Sequence, residues 1–338
     1  MARDAAPPDE PTGVEGDAPW LGEAAGPPAP DACVRLRAPK GPGGAPRLRA
    51  ALWRAPGEAR GLVLLFPGRT EYLEKYAPVV ARLRARGFDV ASLDWRGQGL
   101  SDRAVPRLGH VGRFAEFQAD ARALLGWTPV AAHPGPRVLL AHSMGGCIGL
   151  RALSDGALSA PEARPAAAIF SAPMWGLSLG GTARFARPLV HLATWMGWAR
   201  RPARPGPPDS TYVLDAPFEG NVLTTDRRFW DRFVAQARAH PELTLASPTF
   251  GWVDAAFAET AALARARGPE VPRLLLLGTE ESVVDPQAIR DHAARHPAQA
   301  SLVEIHGGRH ETLMEDPDGQ IGGPVWLAVD QFLHDRGL

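Results

Sequence analysis

Several things are scarce in this chain, and each scarcity removes a class of function. Of 338 residues only Cys33 and Cys147 are cysteines, so no disulfide framework is available and a reducing, cytoplasmic setting is the default. Lysine is nearly missing: of 37 basic residues only Lys40 and Lys75 are lysines. Alongside 36 glycines and 34 prolines, that bias reads as genomic composition rather than a phosphate-binding design. Net charge is lacking as well. With 37 acidic residues balancing the basic ones, a formal charge of +0 leaves no global field to recruit nucleic acid. No stretch approaches the ~18 uninterrupted apolar residues of a membrane span, and the first residues lack the basic start and apolar run of an export signal. No metal-ligand spacing and no dinucleotide fingerprint is present, so neither metal nor cofactor is implied.

What is there suits a folded enzyme, since 45% hydrophobic content can fill a sizeable core. Residues 1–30, rich in Pro, Ala, Gly and acids with little aliphatic periodicity, are expected to be disordered. Residues 34–37 and 47–54 read as two short strands forming an antiparallel edge. Strands at 61–66, 88–93, 138–141 and 166–170 then alternate with helices at 72–86, at 114–127 and after Ser143. Alternation stops at Ser171, and the helical, proline-broken stretch to Glu259 reads as an insertion. It resumes with a strand at 273–277, a helix at 286–295, a strand at 301–305 and a closing helix at 325–334. The pattern predicts an α/β fold: a mainly parallel sheet flanked by helices, built from 31–170 and 260–338, with 171–259 as an inserted helical cap.

The stretch Val138-Leu139-Leu140-Ala141-His142-Ser143-Met144-Gly145-Gly146 organises the rest. It reads as strand, sharp turn and helix, with Ser143 at the turn and the Met144 N–H aimed where an oxyanion would form. Ala141 stands where the usual G-x-S-x-G elbow has its first glycine; smallness is what that position demands. Histidine is the side chain whose proton affinity suits a base for Ser143. His142 adjoins the serine, but successive residues at an elbow point apart. His310, in the loop after the last strand, fits the chain order serine, acid, histidine. Glu281 and Asp285 both follow the 273–277 strand and compete for the role of acid. Asp285-Pro286 is also a helix N-cap and N1 signature, which gives that carboxylate a separate occupation.

Four separated motifs carry a resemblance to a known family. They are Phe66-Pro67-Gly68-Arg69-Thr70-Glu71-Tyr72, Leu93-Asp94-Trp95-Arg96-Gly97-Gln98-Gly99-Leu100-Ser101, the elbow, and the pair Gly278-Thr279-Glu280-Glu281-Ser282-Val283-Val284-Asp285 with Gly307-Gly308-Arg309-His310. From about residue 47 onward the chain resembles the α/β-hydrolase superfamily, and within it the bacterial lysophospholipases and monoacylglycerol-lipase-like serine hydrolases. The resemblance implies a carboxylic ester of a lipid as substrate and no cofactor. It also implies a second oxyanion donor from the backbone N–H of Arg69, although Pro67 replaces the family's histidine. Counting three residues on from Gly278, it favours Glu281 over Asp285 as the acid. The Asp94 to Ser101 motif is expected to tie loops together.

Two other readings stay open: a serine peptidase of the same fold, and a non-catalytic binding protein, which would be expected to have lost a triad member. In the insertion, Phe185, Leu189, Leu192 and Met196 recur at helical spacing between arginines, with Trp195 and Trp198 close by. Phe185, Leu192 and Met196 are expected to admit an acyl chain and to allow transient contact with a membrane surface. The competing expectation is a helix face packed on the core. Pro188 is expected to start or kink that helix. The sequence carries no signature of oligomeric state.

Overall fold

The structure is a computed structural model, and it describes residues 13–41, 43–178, 183–204, 206–207 and 210–338, with the side chains of residues 183–185 outside the description. The chain runs through β1 (Val14–Asp17), α1 (Gly22–Ala25), β2 (Ala32–Arg37), β3 (Arg47–Trp53), β4 (Gly61–Phe66), α2 (Ala77–Ala85) and β5 (Phe88–Leu93). It continues through α3 (Ala115–Gly126), α4 (Thr128–Ala131), β6 (Arg137–His142), α5 (Met144–Asp155) and β7 (Ala167–Ser171). Then come α6 (Ala183–Ala193), α7 (Tyr212–Asp215), α8 (Arg227–Ala239), α9 (Phe250–Leu263), β8 (Arg273–Gly278), α10 (Pro286–Arg295), β9 (Ala300–Ile305) and α11 (Gly322–His334).

The nine strands form one sheet in the order β1-β2-β3-β5-β4-β6-β7-β8-β9. Pairing is antiparallel from β1 through β3 to β5 and parallel from β5 to β9. Gly-Leu-Val-Leu-Leu-Phe in β4 is apolar at successive positions because helices cover both faces of a parallel sheet; every one of its residues is buried. From β4 the chain turns one way to β5 and afterwards the other way to β6. That reversal opens a crevice at the carboxyl ends of β4 and β6, where open α/β sheets bind their ligands.

Two expectations need correction. Disorder over 1–30 does not hold for residues 13–30, which form β1 and α1. The composition argument fails because the rest of the fold supplies the partners: Trp20 packs edge-on against Trp53 at 5.7 Å, and Trp53 Nε1 donates to the Pro28 carbonyl at 3.1 Å. The Leu21 N–H donates to Glu74 at 3.1 Å, and Arg49 donates to the Pro19 carbonyl at 3.1 Å. Residues 1–12 lie outside the described residues. The insertion also does not end at 259, because α9 runs on to Leu263 and packs against α5.

Between β7 and β8 the described elements are helical. α8 starts where the Asp226 carboxylate accepts the N–H groups of Arg228 and Phe229, and it buries Phe229, Trp230 and Phe233. Each such side chain stabilises by ~1.5–3 kcal/mol. Pro188 lies inside α6 rather than at its start, and a π-helical turn over Thr194–Trp198 follows, broken at Gly197 (φ 86°). Among the described residues no helix is long and apolar enough to cross a membrane.

Candidate active site

Ser143 sits between the last residue of β6 and the first of α5 with φ 50° and ψ −119°, a left-handed backbone that a serine rarely adopts. Close packing enforces it. A Cβ on Gly145 would lie 2.1 Å from the Phe66 carbonyl oxygen, and one on Gly146 would lie 2.5 Å from Pro173 Cβ, so α5 rests directly on the end of β4 and on the loop after β7. The Ser143 carbonyl accepts the Met174 N–H at 2.9 Å, and the Ser143 N–H donates to the Ser171 carbonyl at 3.1 Å. Met144 supplies the first N–H of α5, beside the serine.

The loop after β4 passes against this elbow: a Cβ on Gly68 would stand 3.0 Å from Ser143 Cβ. Pro67 holds the loop through its carbonyl, which accepts Trp95 Nε1 at 2.9 Å, so the loop has an anchor without a histidine. Thr70, at φ 66°, donates its N–H to Gln98 at 2.6 Å. Arg69 lies between these fixed points. Its side chain bridges core and cap, donating to the carbonyls of Leu108 at 3.2 Å and, in the cap, Ala246 at 3.1 Å and lying over Trp252 at 5.2 Å. Burial lowers its pKa to about 10.

The two candidate carboxylates differ in their contacts. His310 Nδ1 is 2.7 Å from Glu281 Oε2, while Glu281 Oε1 accepts the N–H groups of Val283 at 2.6 Å and Val284 at 3.1 Å. Burial pushes the Glu281 carboxyl up, but the His310 imidazole and those two N–H groups outweigh it and hold the pKa below the usual range. Asp285 instead accepts the Gln287 N–H at 2.9 Å and caps α10. Glu281 and His310 meet because their loops cross in contact, as a Cβ on Gly278 would lie 2.1 Å from the Gly308 carbonyl oxygen. The cap holds the histidine loop from outside: the Glu311 N–H donates to the Leu223 carbonyl at 2.8 Å and Arg309 to that of Thr224 at 3.0 Å. Ser143, Glu281 and His310 are all buried, the serine 9% exposed.

The Asp94 to Ser101 motif does tie loops together. Arg49, fully buried, pairs with Asp94 at 2.7 Å and with Glu74 at 2.7 Å, and Asp94 also accepts the N–H groups of Leu73 and Leu100. Arg96 pairs with Asp120 at 2.7 Å and Glu116 at 2.9 Å.

Beneath the elbow lies a buried cluster outside the sequence-based expectations. Lys75 pairs with Glu71 and, at 2.6 Å, with Glu311; Glu71 accepts the Gly68 N–H and, at 2.5 Å, the Tyr76 hydroxyl. His142 completes it, its Nε2 3.5 Å from Glu71 Oε1 and 3.4 Å from Glu311 Oε2. The Lys75 ammonium, bridging the two carboxylates, supplies the positive charge there. A signal was available: one of only two lysines stands four residues after a glutamate in the motif that leads from β4.

Of the predicted acyl-chain residues, Leu192 and Met196 lie on the outer surface, 49% and 53% exposed, and the Phe185 side chain is outside the described residues. α6 packs against α9, with His191 at 3.2 Å from Asp254, while Leu189, Leu192 and Met196 of the predicted stripe stay exposed.

Comparison with known proteins identifies the family. Residues 57–317 match the family described as serine aminopeptidase, S33 (Hydrolase_4). Lysophospholipase L2 of Escherichia coli strain K12 is 36% identical over 285 residues, covering 80% of each chain. A monoacylglycerol lipase of Mycolicibacterium smegmatis is 39% identical over 108 residues, 31% of this chain and 36% of that one. The fold is similar to that of a Saccharomyces cerevisiae monoglyceride lipase, with a TM-score of 0.70 at 17% identity over 92% of this chain and 98% of that chain. The chain belongs to the serine aminopeptidase S33 family of α/β-hydrolases.

Proposed function

We propose that this protein is a serine hydrolase that cleaves carboxylic esters of lipids, a lysophospholipid or a monoacylglycerol, through an acyl-enzyme on Ser143. The observation that carries this reading is the 2.7 Å Glu281 to His310 contact at the same sheet edge as the strained Ser143. Ser143 Oγ attacks the ester carbonyl while His310 Nε2 takes its proton, and the Glu281 carboxylate stabilises the imidazolium. The backbone N–H groups of Arg69 and Met144 hold the oxyanion. As the tetrahedral species collapses, the ester C–O bond breaks and His310 returns the proton to the departing alcohol. Water, deprotonated by the same histidine, then releases the fatty acid and the serine.

The name of the Escherichia coli relative supports a lysophospholipid, and the outward face of the cap supports work at a lipid surface. Leu189, Leu192, Trp195, Met196 and Trp198 are exposed there, Trp195 by 80%, with Arg187, Arg200 and Arg201 alongside. Indole rings among arginines suit a transient seat in an anionic headgroup layer. The two free cysteines fit a cytoplasmic setting.

A panel of lysophospholipids, monoacylglycerols, short esters and aminoacyl amides, with Ser143→Ala as the blank, tests the reading. Turnover of the long-chain lipids and fluorophosphonate labelling should both vanish in the variant. Labelling that persists on another serine would refute it. Preference for aminoacyl amides would favour the second reading, a peptidase, which the family description supports.

A further inference from the structure

Four side chains from separate segments converge behind the elbow: Glu71 from the loop after β4, Lys75 from the turn that leads into α2, His142 from the end of β6 and Glu311 beside His310. All are buried. Two carboxylates against one ammonium leave the set one charge short of neutral unless His142 is protonated. The histidine's own contacts bear on that question. Its Nδ1 is 3.1 Å from the Ser171 carbonyl, which can only accept, so Nδ1 carries a proton. Its Nε2 lies 3.5 Å from Glu71 Oε1 and 3.4 Å from Glu311 Oε2, and a bare lone pair there would face two carboxylates. Both ring nitrogens therefore call for hydrogen. The ring also stands 4.7 Å from the His310 ring, centre to centre.

We propose that His142 is a positioning residue, held as an imidazolium between Glu71 and Glu311, which completes a neutral buried cluster with Lys75 and keeps the neighbouring His310 free to act as a base. The proposal rests on the assignment of His310 as the base. Burial lowers the proton affinity of His142, yet Glu71 and Glu311 outweigh both burial and the nearby Lys75, and the net direction is upward. For Glu311, burial acts upward, and Lys75 and His142 override it to hold its carboxyl well below the usual range. Both directions agree with the ring's contacts, which call for hydrogen on Nδ1 and Nε2. Two consequences reach the reaction. Glu71 grips the Gly68 N–H, so the cluster clamps the loop that carries the Arg69 N–H against Ser143. The cluster's charge also lies beside the His310 ring, 4.7 Å away centre to centre, so a change in that charge is felt at the base.

The charged groups facing His142 are Glu71, Lys75, Glu311 and His310, and the Tyr76 hydroxyl reaches it only through Glu71. His142→Gln leaves the cluster with an unbalanced negative charge next to His310. The acid limb of the kcat/KM profile on a short, soluble ester should then move up by ~1 pH unit. The double variant His142→Gln with Glu311→Gln restores the balance and should return the limb toward its original position, which a purely structural role would not do. Ring-nitrogen NMR of the intact wild-type protein, labelled in histidine, should show both His142 nitrogens protonated at pH 7. An unmoved limb in His142→Gln, an unrestored limb in the double variant, or a neutral His142 ring would each overturn the proposal. Because the NMR signature does not depend on which serine reacts, it separates failure of this inference from failure of the Ser143 assignment.

Discussion

Two neighbouring carboxylates with different partners make a sharp test at the scale of single residues. In the proposed mechanism Glu281→Gln removes the charge that steadies the His310 imidazolium, and the substitution should lower kcat by ~10³ to 10⁴-fold, with KM little changed. Asp285→Asn touches only the first turn of α10, where an asparagine Oδ1 accepts the same Gln287 N–H, and should leave both stability and kcat near normal. Urea melts and initial rates on both variants decide it, and a reversed ranking would move the acid to Asp285. Glu281 also carries a pH signature. Its folded pKa lies below the ordinary value of 4.5, so its contribution to stability is complete above that value and is lost as pH falls through the folded one. Acid unfolding should therefore be less steep in Glu281→Gln. Ser143 and His310 stand out as candidates in the sequence because local turn chemistry and chain order point to them. The choice between Glu281 and Asp285 rested on loop spacing, since which carboxylate faces the imidazole depends on how the 278–281 and 306–310 loops cross. His142 was set aside because adjacent side chains at an elbow diverge; that rule is sound for the serine, but it says nothing about the partners waiting on the other side.

At the scale of elements, the cap carries the prediction. The exposed stripe of α6 and the turn after it gives Leu192 and Met196 few native neighbours to lose, so Leu192→Ser with Met196→Ser should leave the melting temperature nearly unchanged. Cosedimentation with anionic phospholipid vesicles and turnover of long-chain esters should fall several-fold, while short soluble esters are hydrolysed as before. A lowered melting temperature with equal loss on all esters would instead assign the stripe to packing. Periodicity revealed that α6 is amphipathic but could not say which way it faces, because an apolar stripe suits a core and a lipid surface equally well. For the hydrolase core the position is better. Buried strands such as residues 61–66 and 273–277 advertise themselves as unbroken apolar runs, and the structure places β4 and β8 within a residue of those bounds.

At the scale of the whole molecule, residues 13–30 act as a brace across the antiparallel side of the sheet. Composition argued for disorder there, and what overrides it lies far away in sequence: Trp53, Arg49 and Glu74 each find a partner in this segment. Deleting residues 1–30 should expose the Trp53 indole and leave part of the Arg49 and Glu74 hydrogen bonding unmet. The expected loss is ~2 kcal/mol or more, read as a lower urea midpoint. An unchanged midpoint would return the segment to a bystander.

The same brace decides how the sheet ends. β1 is four residues long, its register with β2 slips between Val14 and Gly16, and it carries Glu15 and Asp17 on a fully exposed strand. A second molecule arriving to add a strand meets a short, bent and acidic rim, a poor template for growth. Without it, the outermost strand would be β2, six residues in even register along its inner neighbour. The truncated chain should therefore be more open to strand-by-strand addition of further copies than the full one.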